Sequence, residues 1–245
     1  MGARVLALLG VAGCSFTAGQ PAQLGSGSSA DAPPGTGGSA DAKLPVVDAA
    51  IDAKVFLDAP AVTGSIAITS TSYGNNRHDV NLSNEGTTDW AHWGYTDTSS
   101  FDHKINGSSI SNLLATPSLR FTGAPLTSSW MMGTPHPNSS TNSTGVGCKQ
   151  GSTMTFTVPA GTSPKTVHVY VGVQVASARL DVSLSDSSAT AQTKTYSNSN
   201  ATDNVEYTIT YNAASAGQLL TISWTDTHDF SGSSGFAALL SATLE

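Results

Sequence analysis

The chain has 245 residues, with 10 Lys+Arg against 17 Asp+Glu for a net charge of −7, and 35 Ser and 30 Thr but only 11% charged residues. So few bases argue against a nucleic-acid partner, which needs basic patches to displace counterions from phosphates. Two cysteines cannot build a disulfide-rich scaffold, and no apolar run of about 18 residues is present to span a membrane as a mature helix.

Met1 to Cys14 reads as an address. One positive residue, Arg4, precedes an apolar stretch from Val5 to Val11, and Val11-Ala12-Gly13-Cys14 then puts small residues before a cysteine. This is a signal peptide in outline. The last four residues resemble a bacterial lipobox, which implies cleavage after residue 13, lipidation of Cys14 and attachment by acyl chains. Ser15 at the following position points to the outer membrane or cell surface. The second cysteine, Cys148, reads as a small buried side chain.

Residues 14–61 show no amphipathic periodicity. Ser26 to Ser39 is rich in Gly, Ser, Pro and Ala, and Asp-Ala pairs recur at Asp31, Asp41, Asp48, Asp52 and Asp58. Such a composition buries too little to offset its ordering entropy and reads as a disordered tether. As a flexible coil it spans roughly 35–40 Å.

From residue 62 to the end, short alternating runs separated by turn residues replace any helical pattern. Ile66 and Ile68, then Val80 and Leu82, open the series. Met154, Phe156 and Val158 alternate with Thr; Val205, Tyr207, Ile209 and Tyr211 follow, then Leu220, Ile222 and Trp224, then a row from Phe236 to Leu244. The strongest run, Lys165 to Asp186, reads as a hairpin. Val175 would face Leu180, Val173 would face Val182, and Val171 would face Leu184, around a loop at Ala176–Arg179. The opposite face of that hairpin carries His168, Tyr170, Gln174, Arg179 and Asp181. With roughly ten such runs and no interleaved helices, the fold class is all-β, an antiparallel two-sheet β-sandwich of jelly-roll type.

The segment Glu85-Gly86-Thr87-Thr88-Asp89-Trp90-Ala91-His92-Trp93-Gly94-Tyr95 holds two of the four tryptophans. If it is extended, Ala91, Trp93 and Tyr95 face inward, while Trp90 and His92 point outward or into a groove. This segment, preceded by Asn81-Leu82, resembles a motif in β-sandwich modules appended to secreted bacterial polysaccharide-degrading enzymes. Tyr170-Val171-Gly172-Val173, Leu184-Ser185-Asp186, Tyr207 through Tyr211 and Ala213 through Gln218 are similar as well. The resemblance implies a non-catalytic accessory module that binds polysaccharide or envelope glycan. A lipid anchor and tether, rather than a catalytic domain, precede it in this reading.

Sugar binding needs an aromatic plane for the C–H faces of a pyranose and polar groups for its hydroxyls. The candidates are Trp90, His92, Trp130, His168, Tyr170, Gln174, Arg179 and Asp181, whereas Trp93 and Trp224 read as core. Trp90 and Trp130 could equally be structural plugs. The six histidines show no close pair and no zinc spacing. A structural Ca²⁺ could sit on Asp226 and Asp229, or on Asp97 and Asp102, although neither loop has the dense acidic pattern of a calcium site. No nucleophile elbow, phosphate loop or His-Glu-x-x-His motif is present. Asp89 with His92, or Asp226 with His228, are the acid/base pairs that spacing allows. The expectation is a surface-anchored, non-enzymatic glycan binder, with a structural or adhesive envelope module as the alternative and a glycan-active enzyme third.

Overall fold

The computed structural model describes residues 63–115 and 117–245. The signal segment, Cys14 and the tether at 14–61 lie outside the described residues. In chain order the elements are β1 (Ser65–Gly74), β2 (His78–Asn81), a single helical turn α1 (Leu82–Glu85), β3 (Asp89–Trp93), β4 (Phe101–Lys104), β5 (Leu119–Phe121), β6 (Leu126–Met131) and β7 (Gly133–Thr134). They continue with β8 (Asn138–Asn142), β9 (Gly145–Cys148), β10 (Thr153–Ala160), β11 (Lys165–Leu184), β12 (Gln192–Asn212), β13 (Gln218–Asp229) and β14 (Phe236–Leu244). The described residues form an all-β, sandwich-like arrangement of an eleven-stranded sheet and a three-stranded sheet. Every pair in the large sheet is antiparallel. The small sheet departs from the antiparallel expectation, because β2 runs parallel to β6 while β6 and β8 are antiparallel.

The expected hairpin at 165–186 is a single strand. β11 continues through residues 176–179, where Ala176 pairs with Asn198 of β12 on one edge and with Asp229 of β13 on the other. Its first half pairs with β14, its second half with β13, and β12 follows it along nearly its whole length. The physical reason is a bulge at Val175, which adopts φ +44° and has no register partner. One extra residue reverses the parity of the strand. Val167, Val169, Val171 and Val173 before it, and Ala176, Ala178, Leu180, Val182 and Leu184 after it, therefore share one buried face. A turn between two strands and a bulge within one strand give the same alternation, so periodicity does not separate them.

That face closes the main core. Phe156 of β10 meets Trp93 of β3 at a ring separation of 5.1 Å, and Tyr207 of β12 meets Trp224 of β13 at 6.0 Å. A second core lies between the other face of the large sheet and the small sheet, built from Val80, Leu82, Trp90, Leu126, Trp130 and Tyr170 together with Phe236, Ala238 and Leu240. All nine residues of β14 are buried because the strand serves both cores. A register shift opposite Tyr170/Val171 sends Phe236, Ala238 and Leu240 to the second core and Ala242 and Leu244 to the first, so the expected single row is split.

The bulge makes a direct prediction. A β-branched residue is strained at positive φ, and glycine is not. Val175→Gly should therefore change the unfolding free energy by less than about 1 kcal/mol, whereas Val173→Ala, two residues away in the core, should cost about 1–3 kcal/mol. Urea denaturation compares them, and equal losses at both sites would contradict the bulge.

Candidate functional site

The aromatic motif builds the fold instead of facing a ligand. Trp93 enters the main core, Trp90 the second, and all four tryptophans are at most 1% exposed. Asp89 is buried and accepts three backbone N–H groups, from Trp90 at 2.8 Å, Ser109 at 2.7 Å and Ile110 at 2.9 Å. It thereby ties the loop after β4 to the start of β3. Gly94 sits at φ +83°, and a Cβ there would stand 2.6 Å from the backbone of Gly145. The outward orientation expected for Trp90 and His92 is overturned by the small sheet, which covers that side. Trp130 packs against Trp90 at 5.6 Å and against His92 at 5.0 Å, and donates its indole N–H to the His136 carbonyl at 3.1 Å. No tryptophan plane is left for a sugar.

The remaining candidates are not brought together. His168 and Tyr170 lie in the first half of β11, Arg179 and Asp181 in the second, which at strand rise places them roughly 30–43 Å apart. Gln174 lies next to the bulge, beside neither group. Arg179 pairs with Asp181 at 2.8 Å on the exposed strand surface. Among the described residues, neither expected calcium loop gathers three His, Cys, Asp or Glu donors. Asp229 accepts from the Ser231 amide and hydroxyl and from the Gly235 amide, which holds its carboxyl below the usual range. Asp226 is buried, burial raises its pKa, and its Oδ1 accepts the His228 amide. Asp97 caps its own turn through Ser99, while buried Asp102 pairs with His136 at 2.7 Å. Neither anticipated acid/base pair forms by side chains: Asp89 is taken up by amides, and Asp226 accepts the backbone N–H of His228. Cys148 is a free, buried thiol whose pKa burial pushes up to about 11.

A different group converges. In the β11–β12 register Tyr170 lies opposite Glu206 and His168 opposite Thr208, so all four side chains leave the same face. The diagonal neighbours His168 and Glu206 meet, Nδ1 to Oε1, at 2.7 Å. Thr208 donates to the same Glu206 oxygen at 3.0 Å, and Tyr73, at the end of β1, donates to the other. Glu85, the last residue of α1, lies over this group and accepts from the Tyr170 hydroxyl at 2.5 Å. Its second oxygen, Oε2, is buried without a hydrogen-bond partner. Glu245 Oε1 stands 3.8 Å from His168 Nε2. One donor atom each from Glu85, His168 and Glu206 lie within 4.8 Å of one another, so this half-buried trio could hold a metal ion.

The electrostatics follow from these contacts. The hydrogen bond from His168 holds Glu206 down at about 2, and the same bond raises His168. Burial, then the neighbouring carboxylates, raise the phenols of Tyr170 and Tyr73, so both remain protonated donors. Tyr73, Tyr170, Glu85 and Glu206 line a cavity of about 340 Å³, completed by β2 and α1 through His78, Asp79 and Asn84. The Tyr73 and His78 rings stack at 3.7 Å on its wall. Of the sequence candidates, Tyr170 lines this cavity, and His168 joins it through its bond to Glu206. Glu206 was legible as the lone charge in an outward row of threonines, and Glu85 as the acid that opens the aromatic motif. Their meeting depends on the β11–β12 register.

Among the described residues no helix is long and apolar enough to cross a membrane. Comparisons with family models, with curated proteins and with solved structures return no match.

His92 supplies a stability prediction away from this cavity. It is fully buried, and desolvation, the largest cause, lowers its pKa from 6.5 to about 3, assisted by the nearby charge of Arg120 and opposed by the Thr144 carbonyl. The unfolded imidazole takes a proton below about pH 6.5 that the folded one refuses, so its contribution is complete above that pH and is lost as pH falls toward 3. Urea denaturation should show stability falling by up to about 1.4 kcal/mol per pH unit from this group over that interval. His92→Gln should flatten the slope, and an unchanged slope would contradict a neutral buried His92.

Proposed function

We propose that the protein is a surface-held, non-catalytic β-sandwich module of jelly-roll type that binds a neutral glycan unit in the cavity between β1, β2, α1 and the β11–β12 face. The strand β11, which pairs with β12 on one edge and with both β14 and β13 on the other, supports the jelly-roll reading. The cavity is the observation that carries the functional one. Its volume of about 340 Å³ falls at the lower end of small-ligand pockets, the size of a terminal or short glycan unit. Carboxylates at Asp79, Glu85 and Glu206 accept hydrogen bonds from hydroxyls, Asn81 and Asn84 can donate or accept, and the Tyr73–His78 stack supplies an apolar wall. The same carboxylates repel anionic polymers, which favours a neutral polysaccharide.

The sequence supports export and a lipid anchor at Cys14, with the acidic Ser/Gly/Pro-rich segment holding the domain away from the membrane. Mass spectrometry of membrane-associated protein should find acyl chains on Cys14, and Cys14→Ser should release the protein from the membrane fraction. Acylation that persists in the variant would remove the anchor from this reading.

Neutral glycans should be retained on an array by the full chain. Asp79→Ala and Asn84→Ala, both at exposed positions, should each weaken binding by about tenfold, the loss of one good hydrogen bond, with little change in melting temperature. Retention of no glycan, or of anionic glycans alone, would overturn it. Burial of all four tryptophans specifically favours a second reading, a structural or adhesive envelope module. That reading predicts an empty array and capture of envelope polymer through another face.

A further inference from the structure

We propose that Glu85, His168 and Glu206 form a site for one divalent transition-metal ion beside the cavity that the two glutamates line, with coordination positions left open toward it. The argument begins with the donor set. Two carboxylates and one imidazole offer atoms that lie within 4.8 Å of one another. They come from three separate elements, α1, β11 and β12. Two of the elements are rigid sheet, and the third is a helical turn held by Leu82 in the second core. Mixed nitrogen and oxygen donors of this kind suit Zn²⁺ or Mn²⁺, while Ca²⁺ and Mg²⁺ prefer oxygen alone. Three protein donors are the number found where a metal keeps a position for water or a ligand.

A second observation is independent of the clustering. Glu85 Oε1 is held by the Tyr170 hydroxyl, but Glu85 Oε2 is shut from solvent and receives no hydrogen bond. A buried carboxylate oxygen without a donor is expected to find a cation or a proton. The surroundings are negative, since Glu245 adds a third carboxylate 3.8 Å from His168 Nε2. Among the described residues no lysine or arginine forms a salt bridge with Glu85, Glu206 or Glu245. Tyr170 on Glu85, and Tyr73 and Thr208 on Glu206, supply the outer hydrogen bonds that orient metal-binding carboxylates. The ion takes the place of the proton now shared between His168 Nδ1 and Glu206 Oε1 at 2.7 Å. The resulting charge of two carboxylates and one dication is balanced.

The inference goes beyond the glycan reading and can fail separately from it. Full-length protein stripped with chelator is titrated calorimetrically with ZnCl₂, MnCl₂ and CaCl₂, without sugar. Zn²⁺ or Mn²⁺ should bind at one equivalent and raise the melting temperature. Glu85→Gln and Glu206→Gln should each weaken binding at least about tenfold. His228→Ala, at an exposed histidine remote from the trio in the β13 strand, should leave it unchanged. The His168 ring nitrogens should shift on Zn²⁺ addition in NMR spectra, which locates the ion even if the Glu206 variant folds poorly. No binding to the wild-type chain, tighter binding of Ca²⁺ than of Zn²⁺, binding indifferent to both Glu variants, or an unperturbed His168 would each overturn the proposal. Glycan retention by chelator-stripped protein would leave the metal result untouched, and the reverse holds as well.

Discussion

The structure depends on the continuity of β11 through its bulge. A strand of 20 residues has two edges and two faces to satisfy. β12 takes one edge along almost the whole length, and the other passes from β14 to β13 near Val175. Without the extra residue, the apolar row of valines before position 175 and that of Ala176 to Leu184 would point to opposite sides, and one of them would face water. The bulge keeps both on the main core and lets one strand belong to both branches of the sheet. The positive φ of Val175 is the local cost of that continuity.

The same strand divides the polar residues on its other face. Before the bulge, that face is covered by α1 and the small sheet, so His168 and Tyr170 are drawn into a half-buried network with Glu85 and Glu206. After it, the corresponding face is open, and Arg179 and Asp181 form a solvent-exposed pair, worth little energetically. Hydrogen bonding is what gives the first group its chemistry. Glu206 is held at about 2 because the hydrogen bond from His168, with those from Tyr73 and Thr208, outweighs the burial that alone would raise it.

Much of the fold is legible in the residues. The alternation of Met154, Phe156 and Val158, of Val205 through Tyr211, and of Leu220 through Trp224 places β10, β12 and β13 with the correct faces inward. The small sheet is far less visible. The β8 sequence Asn-Ser-Ser-Thr-Asn has no apolar row at all, and β6 carries two serines between Leu126 and Trp130. Because this sheet roofs the second core, its inconspicuous sequence is the reason the outward, groove-facing reading of Trp90 and His92 stayed open and Trp130 could be placed either in a core or on a surface. A motif with two tryptophans then looks like a sugar platform when it is a double plug, one indole in each core. The hairpin reading of 165–186 failed for a related reason. Alternation records which face a residue takes, and is silent on whether the chain turns or bulges between two apolar rows. Partners 38 positions apart, such as His168 and Glu206, follow only from the true register.

The cavity's charge bears on which ligands the fold can serve. Glu85, Glu206 and Asp79 line it, and Glu245 lies beside His168. Arg77 pairs with Asp79, one of the lining acids, at 3.0 Å. An anionic chain entering here would meet carboxylates of its own sign in a partly desolvated space, where repulsion is stronger than in water. Neutral hydroxyls meet acceptors of the right kind, and a dication meets compensating charge. A metal beside the cavity and a neutral sugar in it are therefore compatible occupants, since the ion would neutralise the carboxylates that otherwise crowd His168. Hydroxyl oxygens of the sugar are among the donors that could fill its open positions. The geometry thus links the two proposals physically while leaving each with its own test.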